Sequence, residues 1–286
     1  MSALSYLDAL VLGVVEGLTE FLPVSSTGHL TVTEHLLGLP VDDPGVTAYT
    51  ALIQLGAIAA SVIFFWRDIV RLVAAWFGGL RSAEHRTQHD YVLAWAVIVG
   101  SIPVGVVGFL ARDVISGPLR SLWVVAFGLL GWSVVMWLAE SRHAVIERRQ
   151  LQRGEGSLTV RDGLVIGLVQ CFALVPGVSR SGATISAGLF RSLDRVTATR
   201  MSFFMAIPAL TAAGLFEAVH EKSHLQLLGV AQMALGIVVS FIVAYATIAW
   251  LLRFVSTNTI TPFVWYRVAL GSVLVVLLVS GTLTAT

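Results

Sequence analysis

The chain has 286 residues, of which 56% are hydrophobic and 12% are charged. A soluble domain carries about 25% charged residues, so this composition excludes an ordinary soluble protein and predicts a polytopic membrane protein. The net charge of +1 gives no basic patch for nucleic acid, and the single Cys171 excludes an intrachain disulfide or a cysteine metal cluster.

The chain opens with a predicted helix that carries two carboxylates on one face. The first 15 residues lack the basic region of a cleavable signal peptide, so we expect them to be retained. If the chain is helical as far as Leu22, the spacing places Glu16 and Glu20 on one side. Pro23 disfavours helix in the residue before it, so the helix should end there. Glutamates that faced lipid would be costly, so both are expected to face a cavity or a partner.

A polar break follows this helix and is succeeded by a second apolar helix. The break and the start of the next helix contain Ser25, Ser26, Thr27, Gly28 and His29. Hydroxyls and unpaired N–H groups at a helix N-terminus form an anion-binding arrangement. The alternative is an ordinary N-cap followed by a helix. The carboxylates and His29 nearby favour a functional site.

Six further apolar stretches each have about the 20 residues that a spanning helix needs. They cover residues 47–66, 91–111, 121–139, 198–219, 225–250 and 262–280. Residues 6–37 and 162–189 are also apolar, but each is interrupted by a proline and a glycine, and each half is too short to span. Irregular backbone at membrane depth is tolerated where it lines a protein cavity, so these two stretches predict re-entrant helix pairs. The predicted fold class is an all-α polytopic membrane protein.

Arginines predict the orientation of these spans. They cluster in two connections, at 67–86 and 142–161, that are separated by two predicted spans. Both connections should therefore face the cytoplasm, which puts residues 42–45 and both termini outside. We interpret residues 142–161 as a cytoplasmic linker between two repeats, 1–141 and 162–286, of one membrane domain.

The two broken stretches resemble each other. Ser25 aligns with Ser179 and Gly28 with Gly182, at an offset of 154 residues. Each half would hold one re-entrant pair and three spans, and because three is odd the halves should lie inverted in the membrane. Inversion would bring the tips of the two broken hairpins together near the midplane.

The second break carries an arginine among small polar residues. Its candidate anion-binding residues are Ser179, Arg180, Ser181, Gly182 and Thr184. A guanidinium is a planar fork that suits phosphate oxygens, and hydroxyls at a helix N-terminus add neutral donors. The alternative is a structural salt bridge, in which Arg180 only neutralises Glu16 or Glu20.

Two long motifs, EGLTEFLPVSSTGHL from Glu16 and PGVSRSGAT from Pro176, closely resemble those of the undecaprenyl-pyrophosphate phosphatase family, also known as bacitracin-resistance proteins. The resemblance continues through IQLG from Ile53 and PFVWYR ending at Arg267. It implies an enzyme that removes the terminal phosphate of undecaprenyl pyrophosphate and so recycles the lipid carrier of cell-wall synthesis. It also implies a divalent cation, Mg²⁺ or Ca²⁺, a homodimer, an inner-membrane location and a cavity open to the periplasmic side.

The resemblance also assigns residues to roles. The family's acidic pair falls on Glu16 and Glu20, its hydroxyl and histidine positions on Ser25, Ser26 and His29, and its phosphate-binding motif on Ser179, Arg180, Ser181 and Thr184. Phosphoryl transfer depends on positioning and charge neutralisation, so Arg180 and the N–H groups after Gly28 and Gly182 should bind the charged oxygens. Glu16 and Glu20 would hold the cation or act as base, which spacing alone does not separate.

Ser26 is the expected nucleophile, with His29 in the same turn as acid or base. The alternatives are attack by His29 itself or by a water held by Glu16 or Glu20. Thr27 belongs to the same anion-binding segment. Gln54, in the middle of a predicted span, would either line the cavity or hydrogen-bond a neighbouring helix.

The alternative function is that of a transporter or flippase of an anionic lipid or solute, because inverted repeats with broken helices are common in transporters. The carboxylates would then bind a coupling ion and Arg180 the substrate. Ser26 and His29 favour the enzyme, since a carrier needs no nucleophile beside a complete anion site. A lipid-binding scaffold without turnover would leave the buried charges unexplained.

Overall fold

The computed structural model describes residues 4–40, 43–115, 119, 121–220 and 229–284, with the backbone alone at 113 and 215–220, and this part of the chain contains no β-strand. Its α-helices are α1 Tyr6–Thr19, α2 Ser26–Leu36, α3 Pro44–Phe64, α4 Trp66–Arg81, α5 His89–Leu110, α6 Arg112–Ile115, α7 Leu122–Arg148, α8 Val160–Gln170, α9 Arg180–Phe190, α10 Arg195–His220, α11 Val230–Val255 and α12 Thr261–Val279. Short 3₁₀ helices occur at Glu84–Thr87, Glu155–Ser157 and Cys171–Leu174.

Six helices in the described ranges are long and apolar enough to cross a membrane, namely α3, α5, α7, α10, α11 and α12. The predicted all-α fold with six spans is therefore confirmed. Residues 225–228, the start of one predicted span, lie outside the described residues, as does residue 42 of the predicted outer connection. Each pair, α1 with α2 and α8 with α9, forms a broken helical hairpin, as the sequence predicts.

The third span is longer than predicted, because α7 continues through residue 148 instead of ending near 139. Its last turns are polar and are fixed by Arg195, whose guanidinium bonds Glu140 at 2.5 Å and Glu147 at 2.8 Å. The first part of the predicted linker is consequently helical.

Helix α4 was not predicted, because its arginines indicate only a connection. One side exposes a row of apolar side chains at helical spacing, namely Trp66, Val70, Val73, Phe77 and Leu80. The opposite side carries Asp68 and the buried Leu72. This amphipathic pattern with terminal arginines is typical of a helix that lies in the membrane–water interface.

Ion pairs join the two arginine-rich connections at one end of the molecule. Arg200 of α10 bonds Asp68 of α4 at 3.0 Å and Glu155 of the second connection at 2.7 Å. Arg71 of α4 lies 3.7 Å from Glu155. The expectation that both connections lie on the same side is therefore met by direct contacts.

The second connection is fastened to the second hairpin by a buried carboxylate. Asp162, fully buried at the start of α8, bonds Arg153 at 2.8 Å and Arg191 at 2.7 Å. Burial alone would raise the pKa of Asp162, but hydrogen bonds from Arg153, Thr159 and Arg191 outweigh burial and lower this pKa to about 2. The carboxylate is therefore ionised at neutral pH and ties α8 to the end of α9.

The two hairpins share their local construction. Capping boxes begin both, formed by Ser5 with Asp8 before α1 and by Thr159 with Asp162 before α8. The second helix of each hairpin has 11 residues. All of these positions correspond at the offset that aligns Ser25 with Ser179.

Close helix crossings also occur at positions that correspond in the two hairpins, Gly13 and Gly167. A Cβ added to Gly13 of α1 would meet the carbonyl of Gly236 in α11, and one added to Gly167 of α8 would meet the carbonyl of Gly100 in α5. Each hairpin therefore packs tightly against a span of the other half. These contacts agree with the predicted repeat, whose inverted orientation in the membrane remains a prediction.

Candidate active site

The first break begins earlier than predicted, because α1 ends at Thr19 and not at Leu22. The reason is tertiary. The carbonyl of Glu20 accepts a hydrogen bond from Arg180 at 3.3 Å, and that of Leu22 accepts one from the Ser181 hydroxyl at 2.8 Å. Donors from the second break thus satisfy carbonyls that would otherwise lack partners at this helix end.

Arg267 of α12 lies fully buried between the two breaks. Its guanidinium donates to the carbonyl of Pro23 at 3.3 Å and to that of Gly177 at 2.9 Å, one from each break. Its remaining hydrogen bonds reach α7, at the carbonyls of Gly128 and Leu129 and the hydroxyl of Ser133. Sequence analysis assigned Arg267 no function of its own, although a lone arginine in an apolar span is the signal that could have marked it.

Both breaks end in a serine with left-handed backbone. The φ angles of Ser25 and Ser179 are 78° and 77°. Each side chain caps the following helix, since Ser25 Oγ accepts from the Gly28 N–H at 3.4 Å and Ser179 Oγ from the Gly182 N–H at 3.2 Å. Such a backbone is strained in a residue other than glycine, by about 1–3 kcal/mol, and persists where surrounding contacts hold it.

Glu20 connects the expected nucleophile to the arginine of the second break. Its Oε2 accepts from Ser26 Oγ at 2.7 Å, and its Oε1 lies 3.3 Å from Nη2 of Arg180. The carboxylate is buried, and the arginine side chain is 11% exposed. The salt bridge that was the alternative interpretation of Arg180 is therefore present. Within the described residues, however, Arg180 Nε is buried without a hydrogen-bond partner, so the salt bridge does not use all of its donors.

Glu16 borders a cavity of about 200 Å³ next to this cluster. The cavity is also lined by Ser26, Thr27 and Gln54. Of the two interpretations of Gln54, lining the cavity is therefore the one that the structure supports. Glu16 is 1% exposed, and its Oε1 accepts no hydrogen bond from the described part of the chain. A buried carboxyl oxygen without a partner is costly, which indicates a position for a cation, a proton or a ligand.

The hydroxyls of the second break contact the scaffold instead of the cavity. Ser179 Oγ lies 3.2 Å from Ser181 Oγ, and Thr184 Oγ1 lies 2.7 Å from Ser202 Oγ. The carbonyl of Ser202 accepts from Arg180 Nη1 at 3.1 Å. The predicted substrate-binding hydroxyls are thus engaged within the protein, and the guanidinium of Arg180 is bonded by the Ser202 carbonyl. Ser202, in the first third of α10, was missed because no motif surrounds it.

His29 is engaged away from the Ser26 hydroxyl. Its Nδ1 lies 2.7 Å from the Ser25 carbonyl oxygen, and its Nε2 lies 2.6 Å from the hydroxyl of Tyr266 in α12. The two rings stack with centroids 5.5 Å apart. The group that contacts Ser26 Oγ is therefore Glu20, whereas the sequence favoured His29 as its acid or base. Tyr266 was missed, since its only signal was the PFVWYR resemblance.

The donor set for a cation is small and consists of oxygen. Among the described residues, no three histidine, cysteine, aspartate or glutamate side chains form a metal-binding group. Mg²⁺ is commonly held by one or two carboxylates, with water and substrate phosphate completing its coordination. Glu16, with its unpartnered oxygen, lines the same cavity as Ser26, and this oxygen fits a hard cation of this kind.

Six apolar helices around a buried cluster of carboxylate, hydroxyl and guanidinium define an integral-membrane protein with the groups that phosphoryl transfer uses. The comparison with protein families gives the same class. The chain belongs to the family described as bacitracin resistance protein BacA, which matches residues 9–273.

Curated relatives are similar over their whole length. An undecaprenyl-diphosphatase of Cutibacterium acnes is 52% identical over 290 residues, which cover 99% of this chain and 100% of that protein. Undecaprenyl-diphosphatase 1 of Streptomyces avermitilis is 51% identical over 288 residues, with 99% and 100% covered. The undecaprenyl-diphosphatase of Mycolicibacterium smegmatis is 47% identical over 285 residues, again with 99% and 100% covered. The family inferred from the motifs is therefore confirmed.

Proposed function

We propose that this chain hydrolyses undecaprenyl diphosphate to undecaprenyl phosphate and inorganic phosphate, which recycles the lipid carrier of cell-wall synthesis and confers bacitracin resistance. Full-length similarity to proteins named undecaprenyl-diphosphatases supports the reaction. The observation that carries the proposal is the position of Glu20 between Ser26 Oγ and Arg180. A nucleophile, a proton acceptor and an anion-binding group are thereby joined in one hydrogen-bonded cluster.

In the first step, Ser26 Oγ attacks the terminal phosphorus and its proton passes to Glu20 Oε2. The bond between that phosphorus and the bridging oxygen breaks, and undecaprenyl phosphate leaves with the bond's electron pair. In the second step, water attacks the serine phosphate and Ser26 Oγ regains a proton. Inorganic phosphate is the second product.

Charge on the phosphate oxygens is balanced from both hairpins. Arg180 offers its unpartnered Nε, and the first turn of α2 offers the N–H groups of Ser26 and Thr27, because Ser25 Oγ caps Gly28. The polyprenyl chain would extend between apolar helices into lipid.

A divalent cation, Mg²⁺ or Ca²⁺, is part of this proposal, held by Glu16 and Glu20. When bound, it would neutralise phosphate charge as the reaction proceeds. The other residues of the cluster hold Ser26 and the substrate oxygens in position.

Purified protein in detergent is expected to release inorganic phosphate from undecaprenyl diphosphate. Chelation with EDTA should lower the rate by at least about tenfold, and added Mg²⁺ or Ca²⁺ should restore it, because the carboxylate pair alone leaves the substrate charge uncompensated. Undecaprenyl phosphate serves as the control substrate. Absence of release by folded protein with either ion would contradict the proposal and favour the transporter.

The proposal includes a location and an assembly. The protein would lie in the inner membrane as a homodimer, with the arginine-rich connections in the cytoplasm and the cavity open to the periplasmic side. The positive-inside rule supports this orientation. The homodimer follows from the family resemblance.

Cysteine labelling tests the orientation. In a Cys171→Ser background, we expect Pro40→Cys, between α2 and α3, to react with a membrane-impermeant thiol reagent added to intact cells. Gln152→Cys, in the second arginine-rich connection, should react only after the membrane is opened. Both positions are exposed on the protein surface, so a difference in labelling should reflect the side of the membrane and not burial in the protein. The opposite pattern would place the cavity on the cytoplasmic side.

A further inference from the structure

The contacts of His29 define its proton positions. A carbonyl oxygen can only accept, so the 2.7 Å contact with Ser25 requires the proton on Nδ1. In the neutral ring the lone pair is then on Nε2, where it accepts from the Tyr266 hydroxyl at 2.6 Å. Both ring nitrogens of His29 are thereby engaged, and the neutral ring is restricted to one tautomer.

This arrangement acts on the strained residue that precedes the nucleophile. The Ser25 carbonyl, in a residue with φ of 78°, accepts from both the backbone N–H and the ring of His29. At the equivalent Ser179, the one donor to the carbonyl among the described residues is the backbone N–H of Ala183, which stands where the first hairpin has His29. In the described part of the chain, the additional contact is therefore found at the break that carries Ser26 and not at the other.

Helix α12 holds this break at two points through adjacent residues. Arg267 binds the Pro23 carbonyl, and Tyr266 reaches the Ser25 carbonyl through His29. Together they fix the chain on both sides of Val24.

We propose that Tyr266 is a positioning residue for the proposed reaction. By holding His29 against the Ser25 carbonyl, it fixes the left-handed turn that directs Ser26 Oγ towards Glu20. The inference rests on the proposed function, in which Ser26 is the nucleophile.

Tyr266→Phe removes only the hydroxyl and is expected to lower kcat about tenfold, the scale of one lost hydrogen bond, while KM stays within about twofold. A change confined to kcat is expected because substrate binding does not depend on the direction of Ser26 Oγ. Tyr245→Phe is the matched control, since the Tyr245 ring packs on Phe64 and Phe241 and its hydroxyl bonds no group in the described chain. It should leave kcat unchanged.

A double-mutant cycle separates positioning from general stability. Once His29→Gln has removed the ring, Tyr266→Phe should cause no further loss of kcat, because the hydroxyl acts only through that ring. Additive losses would show that the two residues act independently and would overturn the proposal.

Nitrogen NMR of ¹⁵N-histidine-labelled protein tests the arrangement without turnover. The His29 signals, assigned by their loss in His29→Gln, should show protonated Nδ1 in the wild type and a mixture of tautomers in Tyr266→Phe. Unchanged tautomer signals, or equal kcat in wild type and Tyr266→Phe, would overturn the inference. A wild type without turnover would instead contradict the proposed function, while the NMR comparison would still test the Tyr266 contact.

Discussion

Ser26→Ala is expected to reduce phosphate release by at least about a thousandfold, on the scale seen when a covalent nucleophile is removed. The change deletes the oxygen that lies 2.7 Å from Glu20 Oε2. It leaves the helix cap intact, because Ser25 and not Ser26 caps α2. Binding of substrate should persist, so the loss should be in kcat.

Thr31→Val is the matched control for Ser26→Ala. Thr31 also lines the cavity, and its hydroxyl donates to the Thr27 carbonyl at 2.9 Å. Phosphate release by the Thr31→Val variant should remain within about tenfold of the wild-type rate, which is the scale of one neutral hydrogen bond. Substantial activity in Ser26→Ala at its optimal pH would contradict serine attack.

Rapid quenching with labelled substrate distinguishes the candidate nucleophiles. Attack by Ser26 predicts a covalent phosphate that is stable to acid, as a phosphoserine is. A label that is labile to acid and stable to base would indicate phosphohistidine at His29. Absence of covalent label would favour direct attack by a water held by Glu16 or Glu20.

Local signals account for the parts of the fold that the sequence predicts. Apolar length alone gives six spans, and proline followed by serine and glycine predicts both breaks, because these residues act on their own backbone. The contact of Glu20 with Ser26 is local as well, because both residues belong to one short segment, although the sequence analysis favoured His29 as the partner of Ser26. The contact of Arg180 with Glu20 was foreseen only as one of two alternatives, through the internal similarity of the hairpins.

The parts that the sequence does not predict depend on residues far apart in the chain. The end of α1 is set by donors from the second break, and neither Arg180 nor Ser181 is visible to a local helix rule. The partner of His29 is Tyr266, 237 positions away. Helix α4 was missed because its arginines indicate a polar connection. Its apolar and polar faces can be recognised only when the residues are read at helical spacing.

Arg180→Ala is expected to reduce kcat/KM by about thirtyfold to a few thousandfold, since truncating a buried charge-assisted contact costs about 2–5 kcal/mol and each tenfold is about 1.4 kcal/mol. The change also leaves the buried Glu20 without its ion pair. To separate lost phosphate binding from lost folding, thermal unfolding should be measured beside the rate.

Arg180→Lys tests whether the guanidinium fork, and not charge alone, is required. Lysine can neutralise Glu20, but it cannot at once donate to the Ser202 carbonyl and offer a second nitrogen to phosphate as Arg180 does. We therefore expect only partial recovery of kcat/KM. Arg191→Lys, at the end of the same helix and paired with Asp162, is the matched control and should retain nearly full activity. A fully active Arg180→Lys enzyme would refute recognition of phosphate by the guanidinium fork. Arg180 would then serve only as a counter-ion for Glu20.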